Sequence, residues 1–171
     1  IDRFNRKFSE IHEAKYCLAL HSGTSAIWVS LKAIGVQAGD EVIIPSYTFI
    51  ATASAVILAN AIPVFADINI ENGNIDPSSI ESLITKKTKA IIPVHTGGSP
   101  ADMGSILNIS KKYNIPVIED AAQAHGALWH GNKVGALGMG GVFSFQTSKN
   151  MSSGEGGAII SNCLLYTSPS P

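Results

Sequence analysis

The stretch GGVFSFQTSKNMSSGEGG, residues 140–157, joins a short apolar run to a turn rich in glycine and serine. The apolar run at 142–145 predicts a buried strand, because it is short and bounded by glycine. A second apolar run at 158–161 follows the turn and predicts another strand. Lys149 therefore stands just beyond the end of a buried strand, and its surroundings decide how the rest of the chain is interpreted.

Upstream of this stretch, strand-like and helix-like segments alternate along the chain. Alternation of this kind predicts an α/β fold, with a doubly wound, mostly parallel sheet and helices on both faces. The helix at 3–14 is expected to bury Phe4, Phe8 and Ile11 on one side. Residues 126–135 are expected to form a hairpin or a loop. The remaining predicted strands are 16–20, 41–45, 62–67, 89–95 and 115–120, and the remaining predicted helices are 26–34, 49–58, 76–85 and 101–113.

The composition limits the classes of protein to which the chain can belong. It has 171 residues, of which 45% are apolar and 15% charged, and this suits one domain with buried strands. The formal net charge is -1 and no basic run exceeds two residues, so we expect no nucleic-acid binding. No apolar run approaches the roughly 20 residues that span a bilayer, so we expect no membrane segment. The two cysteines, Cys17 and Cys163, have no metal or disulfide spacing and predict a cytoplasmic protein.

The last residues, 163–171, do not continue the pattern of the rest of the chain. Residues 1–162 are expected to form one domain, and the absence of an initiator methionine predicts that it begins inside a longer gene. The tail reads CLLYTSPSP, and its serine and proline content disfavours regular structure. It resembles translated adapter or frame-shifted sequence, and a native flexible tail is the other interpretation. We expect the tail to be dispensable for the fold.

Polar side chains gather at the predicted carboxyl ends of strands, where open α/β sheets bind their ligands. At the first of these ends, Gly23 permits a tight turn. Thr24 and Ser25 then place hydroxyls and backbone N–H groups at the N-terminus of a helix. That arrangement suits a phosphate group. It also suits an ordinary serine or threonine N-cap, so both interpretations stay open at this point.

A second strand, IPVIED, ends in Asp120, which is either a helix cap or a site residue. Gln123 can donate a hydrogen bond to an oxygen of a ligand ring, and Phe49 either stacks on such a ring or belongs to the core. His125 is either a ligand contact or a structural histidine. A lysine and a carboxylate at neighbouring strand ends suit a cofactor that forms a Schiff base. The amine forms the imine, and the carboxylate keeps a pyridine nitrogen protonated.

In combination, these segments resemble the DegT/DnrJ/EryC1/StrS family of pyridoxal-phosphate sugar aminotransferases. The resemblance covers the chain from about Tyr16 to Asn162. It implies that residues 1–162 are the large domain of a fold-type I transferase that uses pyridoxal 5'-phosphate, truncated before a small C-terminal domain. The segments that carry it are HSGTSAI, GDEVIIPSYTFIATASAV, IPVFADI, KAIIPVH, PADM, IPVIEDAAQAHGA and FSFQTSKNMSSGEGGAII.

The resemblance also implies a role for each matching residue. Lys149 matches the lysine that forms the Schiff base with the cofactor, and Asp120 matches the aspartate paired with the pyridine nitrogen. Gln123 matches the glutamine beside the ring hydroxyl, and Phe49 matches the stacking aromatic. The phosphate contacts, next to the turn at Gly23, are matched by Thr24, Ser25 and Ser144.

The reaction that the resemblance implies moves an amino group from an amino acid, glutamate in most relatives, to a nucleotide-linked keto sugar in amino-sugar or polysaccharide biosynthesis. It also implies a homodimer in which the partner subunit completes the site. Two alternatives stay open. One is a related enzyme with the same cofactor, such as a sugar dehydratase or an enzyme that forms 3-amino-5-hydroxybenzoate, and the other is a non-catalytic regulatory domain.

Three features of the sequence bear on these alternatives. The dehydratases of the family carry histidine in place of the lysine, so Lys149 favours amino transfer. Gln146, at a position where histidine is frequent, and residues 96–98 depart from the family pattern, but neither departure touches the core chemistry. Glu155, in the glycine-rich turn, has no role that the sequence predicts.

Overall fold

The computed structural model describes residues 1–163, so the prediction about the tail lies outside the described residues except for Cys163, which is exposed. Helices and strands alternate from Asp2 to Asp120, as the sequence predicts, and four further strands follow in the described chain. The helices are α1 Asp2–Ile11, α2 Gly23–Ala33, α3 Ile50–Leu58, α4 Pro77–Leu83 and α5 Met103–Tyr113. The strands are β1 Tyr16–Leu20, β2 Glu41–Pro45, β3 Ile62–Ala66, β4 Thr88–Ile91, β5 Ile118–Asp120, β6 Leu128–Trp129, β7 Asn132–Lys133, β8 Gly140–Ser144 and β9 Gly157–Ser161.

The main strands form two hydrogen-bonded sets, in the orders β3-β2-β4 and β5-β8-β9-β1. Parallel bridges between Ile91 and Val117 and between Val94 and Asp120 place β5 beside β4, so the two sets continue one another. The pairs β2–β3, β2–β4 and β5–β8 are parallel, whereas β9 runs antiparallel to both β8 and β1. The predicted mostly parallel sheet is therefore confirmed. The hairpin expected at 126–135 is the small pair β6–β7.

Alternate strand positions point to opposite faces of the sheet, and both faces are covered by helices. Val42 and Ile44 of β2 pack with α2 and α3, whereas Ile43 between them packs with α4 and α5. Farther along the sheet, Phe143 of β8 packs against Phe8 of α1. The doubly wound arrangement follows from near-continuous apolar strands, which need cover on both faces.

The buried face of α1 differs from the predicted one. Phe4 and Phe8 stack with their ring centroids 5.3 Å apart, as expected, but Ile11 is 54% exposed. His12 takes its place, 4.5 Å from the rings of both Phe8 and Phe143. Positions 4, 8 and 12 follow the i, i+4 spacing, so His12 at the end of the helix lies on the same side as the two phenylalanine rings. Burial lowers the pKa of His12 to about 4, because the charged imidazole is desolvated.

The N-termini of α4 and α2 test the predicted helix caps. Asp76 accepts a hydrogen bond from the Ser78 N–H, with Pro77 at the first helical position, as the sequence predicts. Helix α2 begins at Gly23, three residues earlier than predicted, because Ser22 caps it by accepting from the Ser25 N–H at 3.1 Å. The predicted turn is therefore the first turn of the helix, and its N-terminus lies at the end of β1.

Candidate active site

A cavity of about 380 Å³ opens at the carboxyl ends of β5 and β8, beside the first turns of α2 and α3. Every residue that the sequence predicts for the site lines this cavity, except Ser25. The predicted residues on its wall are Gly23, Thr24, Phe49, Asp120, Gln123, Ser144 and Lys149. The fold thus gathers residues from most of the length of the chain at one position.

Asp120 is held rigidly at the edge of the cavity. Its N–H donates to the Pro93 carbonyl at 2.8 Å, and its carbonyl accepts from the His95 N–H at 3.0 Å. Its carboxylate accepts from Thr52 Oγ1 at 2.9 Å and from the Ala122 N–H at 3.1 Å. Burial raises the pKa of this carboxyl by disfavouring the charged form, and the two hydrogen bonds oppose the rise. No helix starts directly after Asp120, so the helix-cap interpretation is wrong.

Lys149 and Phe49 meet at the mouth of the cavity. Lys149 Nζ lies 5.6 Å from the centroid of the Phe49 ring, close enough for a cation–π attraction. Phe49 is 64% exposed, so it is not the core aromatic that the sequence left as an alternative. Lys149 forms no ion pair with residues 1–163. An amine, an aromatic face and a buried carboxyl group therefore border one cavity.

Glycines set the close approach of the first turn of α2 to the end of β8. A Cβ atom on Gly23 would lie 2.9 Å from the Cβ of Ser144. One on Gly157 would lie 2.2 Å from the carbonyl oxygen of Ser22. These contacts are closer than side chains allow, so glycine is required at both positions. The packing places the Thr24 and Ser144 side chains on one cavity wall, at the N-terminus of a helix.

Ser25 does not line the cavity, because it is occupied by contacts inside the turn. Its hydroxyl lies 2.7 Å from His21 Nε2 and 2.8 Å from Ser22 Oγ, and its N–H is capped by Ser22. The N-cap alternative is thus confirmed for Ser22. The structure brings Thr24 to the cavity, but it does not bring the Ser25 hydroxyl there.

Gln123 is oriented by a backbone contact from the opposite loop. The Gly97 N–H donates to Gln123 Oε1 at 2.8 Å. Gly97 has φ of 60°, a left-handed conformation that glycine adopts readily. With the carbonyl oxygen engaged, the Nε2 amide is the group that the side chain can offer to a ligand as a donor.

His125 does not line the cavity, and it packs 5.5 Å from the rings of both Phe143 and Phe145. This packing favours the structural interpretation of His125 over a ligand contact. Burial lowers the pKa of His125, which favours the neutral imidazole in this aromatic cluster.

Several residues that the sequence analysis did not predict also line the cavity. Thr48 and Thr52 come from the segment around the start of α3, and Gln146, Ser148 and Glu155 come from the loop that carries Lys149. Threonine in a helix gives no sequence signal of a site, so Thr52 could be found only from the packing of α3 against β5. Glu155 is exposed on the cavity wall, and its backbone carbonyl accepts from Ser153 Oγ at 2.6 Å.

A buried carboxylate behind the site fixes two of its loops. Glu119 is fully buried and accepts from the N–H groups of Gly135, Leu137 and Gly138 at 2.7 to 2.8 Å. His95 Nε2 lies 3.0 Å from the same carboxylate, and His95 Nδ1 accepts from the Ala101 N–H at 3.1 Å. With Nδ1 acting as an acceptor, Nε2 carries the proton and donates it to Glu119. The signal available in the sequence was an ionisable residue inside an apolar strand, which must find partners.

The variant Glu119→Gln is expected to destabilise the intact protein by about 3 kcal/mol. The amide NH₂ of glutamine would face backbone N–H donors that the carboxylate now accepts from, and it would leave them without an acceptor. Urea unfolding measures the change. Glu71→Gln, on an exposed glutamate, is the matched control and should leave the midpoint unchanged. A Glu119→Gln midpoint equal to that of the wild type would contradict the structural role of the network.

Among residues 1–163, no cluster of histidine, cysteine, aspartate and glutamate could hold a metal ion. The helices of this part of the chain are all too short or too polar to cross a membrane.

The doubly wound sheet, with a lysine, a carboxylate and the N-terminus of a helix at its strand ends, defines an α/β domain with a ligand-sized cavity at the carboxyl edge of the sheet. The family comparison agrees over the whole described chain. The chain belongs to the DegT/DnrJ/EryC1/StrS aminotransferase family, whose family model matches residues 1–163.

Curated relatives include an aminotransferase and a synthase. The L-glutamine:2-deoxy-scyllo-inosose aminotransferase of Streptomyces fradiae is 44% identical over 158 residues, which are 92% of this chain and 37% of that protein. The 3-amino-5-hydroxybenzoate synthase of Amycolatopsis mediterranei is 41% identical over 94% of this chain and 41% of that protein. The chain thus spans about two fifths of the length of these relatives.

Solved structures share the fold closely. An aminotransferase from Psychrobacter cryohalolentis matches with a TM-score of 0.94 and 44% identity, over 96% of this chain and 42% of that one. NtdA from Bacillus subtilis, solved with bound cofactor PMP, matches with a TM-score of 0.89 and 38% identity, over 95% and 37%. DesI, solved in the presence of its TDP-sugar product, matches with a TM-score of 0.92 and 30% identity, over 96% and 42%. The α/β fold inferred from the sequence is therefore that of known aminotransferases.

Proposed function

We propose that the protein containing this chain is an aminotransferase that uses pyridoxal 5'-phosphate and transfers an amino group to a ketone on a polyhydroxylated six-membered ring. The observation that carries the proposal is the meeting of Lys149, Phe49 and the buried Asp120 carboxyl on one cavity. Family membership and the PMP-bound relative support the choice of cofactor. Residues 1–162 would then be the large domain that binds it.

The donor set of the cavity fits this cofactor. The Asp120 carboxylate suits a protonated ring nitrogen, and the Phe49 face suits a planar ring. Gln123 Nε2 can donate to a ring oxygen, since Gly97 already engages Oε1. The Thr24 and Ser144 hydroxyls and the N-terminus of α2 suit a phosphate group. Ser25 would act indirectly, by holding the Ser22 cap in place.

When bound, pyridoxal phosphate would supply an aldehyde that bonds to amines and a pyridinium ring that withdraws electrons. Lys149 Nζ would hold the cofactor covalently and, once released, accept and return the proton of the amino-acid donor. Phe49 would exclude water from one side of the site. Asp120 would keep the ring nitrogen protonated through a charge-assisted hydrogen bond.

Two acceptors remain candidates for the intact enzyme. The relative at 44% identity favours a carbocyclic ketone of the inosose type, with L-glutamine as the amino donor. The structure at 30% identity and the family resemblance favour a nucleotide-linked keto sugar, with glutamate as the donor. Coupled assays of the full-length enzyme with each donor and acceptor pair would separate them by kcat/KM. Failure to aminate either acceptor would overturn the proposed reaction.

The covalent role of Lys149 gives a direct prediction. Borohydride reduction of the intact protein loaded with pyridoxal phosphate should trap the adduct on Lys149, and peptide mass analysis should locate it there. Lys133, which is absent from the cavity wall, is the internal comparison and should stay unmodified. An adduct on Lys133 or on any other lysine would refute the assignment.

The same proposal includes a homodimer of the full-length enzyme. Ile50, Ile57 and Leu58 of α3 are 69%, 60% and 61% exposed, and Ile62 and Phe65 of the neighbouring β3 are 48% and 55% exposed. An apolar patch of this kind on a soluble protein calls for cover by another surface. We expect light scattering to give a dimeric mass for the full-length enzyme and self-association for the isolated chain. A monodisperse, monomeric chain that transaminates would contradict both the dimer and the shared site.

A further inference from the structure

Two threonines form a chain of hydroxyl groups that leads to the buried carboxylate of the site. Thr48 Oγ1 lies 2.8 Å from Thr52 Oγ1, which in turn donates to Asp120 Oδ2 at 2.9 Å. Thr52 is 1% exposed and Asp120 is 5% exposed. The Thr52–Asp120 bond is therefore sheltered from water, where a hydrogen bond to a charged group contributes most.

The direction of this chain follows from the donors available. Thr52 donates its single hydroxyl hydrogen to Asp120, so its oxygen can only accept a hydrogen bond from Thr48. The protons therefore point from Thr48 to Thr52 and from Thr52 to Asp120. The other carboxylate oxygen, Oδ1, accepts from the Ala122 N–H at 3.1 Å. Each oxygen has one donor from the protein, and unused lone pairs remain for a ligand in the cavity.

We propose that Thr52 is a positioning residue, which orients the Asp120 carboxylate and favours its charged form, and that Thr48 polarises the Thr52 hydroxyl toward it. The role in catalysis rests on the proposed function, but the effect on Asp120 itself does not. Without these donors, burial would favour the neutral acid. A neutral carboxylic acid could not hold a proton on a ring nitrogen through a charge-assisted bond.

Other groups face Asp120 and must be held constant in any test. Lys149 favours its charged form electrostatically, and the His95 N–H donates to its backbone carbonyl. The fully buried His95 is fixed by Glu119 and by the Ala101 N–H. Among the described residues, neither side chain forms a hydrogen bond or an ion pair with Thr48 or Thr52, so substitutions at the threonines leave both in place.

The test is a carbon-13 NMR titration of the Asp120 carboxyl in the cofactor-free, full-length protein. Thr52→Val keeps the shape of the side chain and removes the donor, so the titration midpoint should move to higher pH. Thr52→Ser keeps the hydroxyl and should restore the wild-type midpoint. Thr48→Val should shift the midpoint in the same direction but less, and it covers the case in which Thr52→Val fails to fold. Thr88→Val is the matched control. Thr88 is a half-buried threonine remote from Asp120, and its hydroxyl accepts from the Thr85 N–H.

A second readout uses the loaded enzyme. If the proposed function holds, Thr52→Val should lower turnover by about tenfold, since a hydrogen bond to a charged group is lost, and Thr52→Ser should recover it. Midpoints of Thr52→Val and Thr48→Val equal to that of the wild type would overturn the positioning role. A shifted midpoint in a protein that does not transaminate would leave the positioning role standing and refute only the proposed function.

Discussion

Replacing Lys149 by alanine is expected to abolish amino transfer by the full-length enzyme. The substitution removes both the amine that would hold the cofactor and the base that would move the proton, so turnover should fall by more than about a thousandfold. Folding should change little, because Lys149 makes no ion pair with residues 1–163 and its contact with Phe49 is worth only about 1 kcal/mol. Single-turnover kinetics and circular dichroism on the same sample measure both effects.

Controls for this experiment come from the same chain. Lys86→Ala, on an exposed lysine remote from the cavity, should retain wild-type turnover. Added methylamine should restore part of the rate in Lys149→Ala, because a small amine can enter the vacated space and accept the proton. Retained turnover in Lys149→Ala would show that the lysine takes no part in the reaction, and it would overturn the proposed mechanism.

Replacing Asp120 by asparagine is expected to lower turnover by about a hundredfold while leaving the fold intact. The variant loses the negative charge that would hold a proton on the cofactor ring, an electrostatic effect of the size found for preorganised active-site groups. The structure explains why the protein should tolerate it. The new amide oxygen can accept from the Ala122 N–H, and the amide nitrogen can donate to Thr52 if that hydroxyl turns to donate to Thr48.

Stability is expected to hold or rise in this variant. Burial raises the pKa of the Asp120 carboxyl, which means that the charged form is unfavourable there, and a neutral amide avoids that desolvation. In Asp120→Asn, the urea unfolding midpoint should therefore stay the same or rise while turnover falls. Asp76→Asn, which keeps the helix cap of α4, is the control and should change neither. Unchanged turnover in Asp120→Asn would reduce Asp120 to a structural residue.

Local patterns in the sequence predicted the elements of the fold well. Alternating apolar runs placed the strands, and Asp76 followed by Pro77 marked the start of α4. The errors lie at the ends of elements: the strands predicted at 89–95 and 115–120 are Thr88–Ile91 and Ile118–Asp120. Helical periodicity placed Ile11 on the buried face with Phe4 and Phe8, but Ile11 is exposed and His12 is buried beside the two rings. Positions 11 and 12 both lie near the face of Phe4 and Phe8, so the period alone could not decide which of them is buried.

The site was predictable where a residue stands next to a strand end, as Asp120 and Lys149 do. It was not predictable where function depends on which elements touch. Phe49 could be either core or site until its exposure was known, and Thr52 reaches Asp120 across two elements that lie far apart in the chain. The sequence placed Ser25 in the turn but could not predict where its hydroxyl points, because that orientation depends on contacts with His21 and Ser22.

The antiparallel pairing of β1 with β9 has a consequence for how the protein forms during synthesis. Among the described residues, β1 has no sheet partner except β9, and the register joins Tyr16 to Ser161 and Leu20 to Gly157. Closing so long a loop carries an entropic cost and slows folding. Almost all of the described chain must therefore emerge from the ribosome before the turn after β1 can meet the loop that carries Lys149. A ligand that binds in the cavity therefore cannot protect the unpaired strand β1 until residues 157–161 have been synthesised.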